Sequence, residues 1–280
     1  MARPSRWALL LPLACAHAAG ADQIDRAFNR LYNFDFPAAH AAVDEYVSAH
    51  PDDPMGYSVR SSVYVFYELN RLGILEAEFF ADDKRLTDKK KLSPDPLVRR
   101  KFYEAVEAAQ SRALATLSAR PDDFKALYAL CVTHGVVVDY VALIDKKHFS
   151  SLSTAKRSNG CAQRLLKAHP DTYDAYVTTG FTEYLVGSLP FFIRWLVRFD
   201  MVKGSKEEGI RNLREAAEKG RYLKPFAKIL LALIYLREKK PQECRRYLTE
   251  FARDYPENPL VQKELAKLTA RLPGWSAGQK

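Results

Sequence analysis

Between Leu223 and Pro256 the sequence LKPFAKILLALIYLREKKPQECRRYLTEFARDYP holds two short apolar stripes and nothing that could cover them from within. Leu231, Ala232 and Tyr235 fall at i, i+1 and i+4, the segment REKKP breaks the pattern, and Cys244, Leu248 and Phe251 resume it at i, i+4 and i+7. This spacing predicts a helix, a tight turn and a second helix. Each helix carries one stripe with a small residue where the two approach most closely, so the pair leaves a face that a further helix must cover. A unit of this kind stacks on copies of itself.

Four breaks of similar composition punctuate the chain: His50-Pro51-Asp52-Asp53, Arg120-Pro121-Asp122-Asp123, His169-Pro170-Asp171-Thr172 and Tyr255-Pro256-Glu257-Asn258. Each ends one helical pattern and supplies acidic or capping residues to the next. Beyond each proline a related register appears: Tyr57, Ser61 and Tyr64; Leu127, Leu130 and Cys131; Tyr176 and Gly180; Leu265 and Ala266. The second member is repeatedly small, as close helix packing demands. These positions, with those of 223–256, resemble the tetratricopeptide repeat (TPR). The resemblance implies an all-α fold, a right-handed α-solenoid of about five antiparallel helix pairs plus a C-terminal closing helix. It names no ligand.

The predicted pairs are 22–33 with 37–49, 54–72 with 97–118, 123–144 with 153–168, 172–186 with 205–219, and the two helices of 223–256, followed by a closing helix at 258–271. Together they make one domain over 22–272, with a flexible tail at 273–280. Insertions at 73–96, 145–152 and 187–204 all fall between the first and second helix of a pair. In a stacked array such turns emerge on one edge and the breaks on the other. The insertions are therefore expected to meet as one rim, although surface loops also tolerate length changes freely. The first insertion and the residues after it carry Lys84, Arg85, Lys89, Lys90, Lys91, Arg99, Arg100 and Lys101, a solvated charge run or an anionic contact. In 188–202 the third carries Phe191, Phe192, Trp195 and Phe199 with Arg194 and Arg198, spaced for an amphipathic helix. Such a helix packs on the array as extra core or lies at a membrane surface.

Arg3 and Arg6, the apolar run Trp7 to Ala14 and the small residues Ala16 to Ala21 read as a cleaved secretory signal peptide at 1–21. The predicted location is the periplasm or outside the cell. Lipid attachment at Cys15 is the weaker alternative, because Pro12-Leu13-Ala14 fits a lipid-attachment box poorly. Loss of the leader, which holds two arginines and no acid, lowers the formal charge from +9 to +7. Export makes nucleic acid an unsuitable partner for this basic chain. Cys131, Cys161 and Cys244 lack metal-like spacing and fit buried thiols, with a Cys131–Cys161 disulfide conceivable between adjacent helices.

No zinc helix, nucleophile elbow or dinucleotide fingerprint occurs, and the glycines of Gly204 to Gly209 lack the lysine of a phosphate loop. His134, Asp139, Asp145 and His148 are the most reactive group, but His134 and Asp145 lie roughly 16 Å apart along a helix, too far for one metal ion. No catalytic residue, metal or cofactor is therefore assigned. First helices line the groove of tetratricopeptide arrays, so the resemblance implies a peptide-binding face with candidate contacts Tyr57, Arg60, Tyr64, Tyr67, Tyr128, Tyr176 and Glu183. The plainer alternative packs these tyrosines into the inter-helix core. The expected role is a non-catalytic scaffold or adaptor for a protein or peptide. Two alternatives stay open: a peripheral envelope-membrane protein acting through 188–202, and a hydrolase or transferase with an unrecognised site near His134 and Asp139.

Overall fold

The computed structural model describes residues 23–76, 92–188 and 204–271, and for 148–151 and 271 the backbone alone. Among these residues the protein is all-helical. The helices are α1 (23–32), α2 (Phe36–Ala49), α3 (Pro54–Arg71), α4 (Pro96–Ala119), α5 (Phe124–Asp139), α6 (His148–Ala168), α7 (Tyr176–Ser188), α8 (Lys206–Lys219), α9 (Lys224–Arg237), α10 (Pro241–Asp254) and α11 (Pro259–Arg271). They pack as neighbours in chain order, α3 on α4, α5 on α6, α7 on α8 and α9 on α10, with α3 also against α5 and α8 against α9. The predicted boundaries hold to within one to four residues, except at the second insertion. There α5 runs on through a π-helical turn, Tyr140–Ile144, and α6 begins at His148, so the expected loop at 145–152 shrinks to three residues.

The four breaks have one backbone geometry. The residue before each proline, His50, Arg120, His169 and Tyr255, has φ between −133 and −138° and ψ between 64 and 85°. Proline excludes the helical region for its predecessor, so each helix must stop there. Three residues on, an amide donates back to that residue's carbonyl: Asp53, Asp123 and Thr172 at 3.1 Å and Asn258 at 3.2 Å. Asp53, Asp123 and Asn258 then cap the next helix, accepting from the amides of Met55, Ala126 and both Leu260 and Val261. The within-pair turns are built otherwise. Among the described residues each carries one in the left-handed region: Phe34, Gly73, Lys146, Gly204 and Lys239, with φ of 64, 68, 54, 50 and 56°. At three of them the amide after that residue reaches the carbonyl five residues back, Asp35 to Arg30, Ile74 to Leu69 and Lys240 to Tyr235, closing the helix C-terminus.

Small residues sit where the register placed them. A Cβ on Gly180 of α7 would meet the Gly209 carbonyl of α8 at 2.9 Å, so only glycine lets these helices approach so closely. The stretch Phe124–Ile144 is long and apolar enough to cross a membrane, but its Leu127, Tyr128, Leu130, Cys131, Val132 and Val136 are buried against neighbouring helices.

The first described helix is in contact with residues some 200 positions later in the chain. Ile24, Ala27, Phe28, Leu31 and Tyr32 of α1 follow a helical stripe, and each is at most 5% exposed. Phe28 stacks on Tyr222 with ring centroids 4.9 Å apart, and Tyr32 meets Phe251 and Tyr255. The Asn258 side chain donates to the Tyr32 carbonyl at 2.7 Å, and the Glu257 amide donates to the Asn33 side chain at 3.1 Å. One hydrophobic core thus runs from Ile24 to Leu268. A second, smaller core gathers Val65, Leu69, Phe102, Val106, Val136 and Tyr140 beneath the first insertion.

Candidate functional site

The break edge carries a cavity of about 710 Å³. Three breaks contribute to it, through His50, through Phe124 and Lys125, and through Ala168 to Asp174. The fourth side comes from the proline-free link between α8 and α9, Lys219 to Tyr222, and α1 adds Ile24. Because the breaks share one geometry and lie side by side, they place the same kind of helix terminus around a common space. Two arginines tie them together: Arg112 of α4 donates to the Pro51 carbonyl at 2.7 Å, and Arg164 of α6 donates to the Pro121 carbonyl. Each comes from the second helix of the pair that the break opens.

Aromatic rings dominate the walls, and the hydroxyls of Tyr46 and Tyr128 are bonded into the protein. Tyr46 Oη donates to Asp53 at 2.7 Å, and Lys125 Nζ donates to the same carboxylate oxygen at 2.7 Å. Burial works to raise Asp53, but the bonds from Lys125, Tyr46 and the Met55 amide outweigh it and hold this carboxyl below the ordinary aspartate value. Tyr128 Oη donates to Asp174 at 2.6 Å. Asp174 is buried and also accepts from the amides of Arg221 and Tyr222 at 2.8 and 2.9 Å, so one carboxylate joins α5, the third break and the α8–α9 link. The Tyr222 ring lies edge-on to Tyr128 at 5.8 Å, and burial pushes its hydroxyl up to about 12. Phe124 is 44% exposed at the mouth, where it packs edge-on to His169.

The residues expected to line a groove are dispersed. Tyr57, Arg60, Tyr64 and Tyr67 form one row on α3 that runs against α2. Arg60 pairs with Asp44 at 2.6 Å, the Tyr64 ring contacts His40 at 4.4 Å, and Tyr67 meets Phe36 edge-on. Tyr57 donates to the Pro51 carbonyl and lies beneath Arg112, whose guanidinium is 4.1 Å from the ring centre. Tyr176 is half-buried beside Tyr173, and Glu183 accepts from Asn212 of α8 at 2.7 Å. Burial raises Glu183, with the Asn212 bond opposing. Of the seven, Tyr128 lines the cavity. Phe191, Phe192, Trp195 and Phe199 lie outside the described residues, as does most of the basic run.

The reactive group of α5 is not brought together. His134 is half-buried, and burial, assisted by Arg157, lowers it. Burial alone pushes Asp139 up to about 7. Asp145 is held by Arg99 through two bonds of 2.8 and 3.3 Å, which joins the base of the first insertion to the second. The side chain of His148 lies outside the described set. Among the described residues no three His, Cys, Asp or Glu side chains form a group that could hold a metal ion. Cys131, Cys161 and Cys244 are free thiols, so the Cys131–Cys161 disulfide does not form.

Sequence reasoning missed three features: the convergence of three breaks, the closure by α1, and the burial of Glu68, which it set beside the tyrosine row of α3. Glu68 is fully buried and accepts from Arg71 through two bonds of 2.8 Å and from the Asp95 amide at 2.7 Å, which fixes the exit of the first insertion. A signal for the first was present in the near-identity of the break tetrapeptides. The closure pairs residues some 200 positions apart, and no local pattern reports that. No protein-family model and no curated protein matches this chain.

Proposed function

We propose that this chain is a non-catalytic, exported binding protein built as a tetratricopeptide-like solenoid, which receives a segment of a partner protein in the cavity of its break edge. The observation that carries this reading is the enclosure itself: five tyrosine and phenylalanine rings around about 710 Å³, formed by chain turns whose repeated geometry assembles them. Sites of this size and lining are typical of ligand recognition, with a few polar groups fixing orientation. Export of the mature chain would put the site in the periplasm or outside the cell. An array of immobilised short peptides probed with the mature protein tests the reading. Ala168→Trp, which fills the cavity from its wall, is expected to abolish the captured set while leaving the melting temperature within a few degrees. Capture unchanged by Ala168→Trp overturns it.

A further inference from the structure

The cations that line the cavity are each already paired with a carboxylate. Lys125 is paired with Asp53 at 2.7 Å, Lys219 with Glu215 at 2.6 Å and Arg221 with Asp25 at 3.0 Å. Asp174 is saturated by Tyr128 and two amides, and His169 is bonded to the Asp122 carbonyl at 2.7 Å. Asp171 stands exposed at the rim, in water. Each lining cation already holds a carboxylate and Asp171 lies in water, where a new exposed ion pair adds little, so charge is not what selects the occupant.

What the wall offers instead is ring surface and hydrogen-bond donors. Tyr46, Phe124, Tyr128, Tyr173 and Tyr222 supply the rings, with Ile24 and Met55 beside them. Among the described residues, His50, Thr172, Tyr173 and Tyr222 line this space, and their side-chain polar groups have no hydrogen bond of their own. Donors of this kind are matched by carbonyl oxygens.

From this lining we infer that the occupant is an uncharged, proline-rich, extended segment of a partner protein. The inference rests on the reading of the cavity as the binding site. Proline rings stack on aromatic faces, and prolyl carbonyls accept hydrogen bonds without bringing amide donors that the wall could not satisfy. The polyproline conformation is also already ordered, so little entropy is lost on docking. Tyr222 and His50 bond the carbonyls, and the tyrosine and Phe124 faces hold the rings.

Fluorescence anisotropy with three labelled peptides of equal length tests this: one of prolines flanked by glycines, one with the prolines replaced by glycine and serine, and one with alternate prolines replaced by glutamate. The proline peptide is expected to bind about tenfold or more tighter than either of the others, a difference of about 1.4 kcal/mol. Its affinity should change less than about twofold between 50 and 500 mM salt, because no charge pair forms. Tyr222→Phe, which keeps the ring and removes the donor, should weaken it by about fivefold. Preference for the glutamate peptide with a steep salt dependence, or equal binding of the glycine-serine peptide, overturns the inference and leaves the cavity reading standing. Absence of binding by all three, together with peptide capture that Ala168→Trp does not disturb, overturns both.

Discussion

Tyr32 and Tyr222 stand 190 residues apart in sequence and are joined by a hydrogen bond of 2.8 Å from the Tyr32 hydroxyl to the Tyr222 carbonyl. Phe28 stacks on the Tyr222 ring one turn earlier in α1. The helix that begins the described chain is thereby held by the link between its fourth and fifth pairs. Phe28→Ala removes a side chain that is 4% exposed and leaves a cavity at this junction, so it should cost about 3–5 kcal/mol. Tyr32→Phe should cost about 1 kcal/mol. Urea unfolding followed by both far-ultraviolet circular dichroism and tyrosine fluorescence measures these losses. Coincident curves for the two probes are expected, because α1 and the later helices share one core.

Asp53 provides a pH test. Its carboxyl lies below the ordinary aspartate value when folded, so its contribution is present above the unfolded value near 3.9 and lost as pH falls through the folded value. Asp53→Asn should be less stable than the parent by about 1–3 kcal/mol at pH 7, with the gap closing below about pH 3.5. A gap that persists at pH 2.5 would assign the loss to packing instead.

Asp139 has the opposite sign. Its folded value is raised to about 7, so its favourable contribution is full below the unfolded value near 3.9 and is lost as pH rises to 7. Asp139→Asn should match the parent at pH 4 and exceed it by about 2–4 kcal/mol at pH 8. Thermal melts across this range measure the divergence.

Much of this architecture was legible in the sequence, for reasons that lie in particular residues. Pro51, Pro121, Pro170 and Pro256 forbid helix one residue upstream, and Asp53, Asp123 and Asn258 cap the next, so element boundaries follow from local chemistry. Tyr128 was named as an aromatic residue on the first helix of its pair, but for a groove along α3, not for the cavity at the breaks. The row from Tyr57 to Tyr67 was equally visible, but its partners Phe36, His40 and Asp44 belong to α2, and a stripe on one helix does not say which neighbour covers it. The second insertion, expected at 145–152, is shorter because α6 already begins at His148. The π-helical turn after Asp139 carries the backbone round in fewer residues.

Lys239 occupies the left-handed region at φ 56° in the exposed turn between α9 and α10. A side chain there costs about 1 kcal/mol, and glycine adopts the same angles freely. Lys239→Gly should therefore stabilise the protein by roughly 0.5–1 kcal/mol, against the usual direction for glycine substitution in a helical protein. Chemical denaturation of the single variant checks it.

The buried thiols give a redox test. Burial raises Cys131, and pushes Cys161 up to about 11 against the pull of Arg164. Reducing agent should leave the melting temperature unchanged, and thiol reagents should modify Cys161, which is half-buried, before Cys131 or Cys244.

Contact between α1 and these later residues also constrains how many units the chain can hold. An open array of helix pairs lengthens or shortens by duplicating or deleting a unit, since each touches its neighbours alone. Here α1 bonds to residues 221–222 and to 257–258, and an added or lost pair would carry those partners away from it. The copy number is consequently constrained by these bonds, whereas the length of an insertion between the helices of a later pair can change without breaking them.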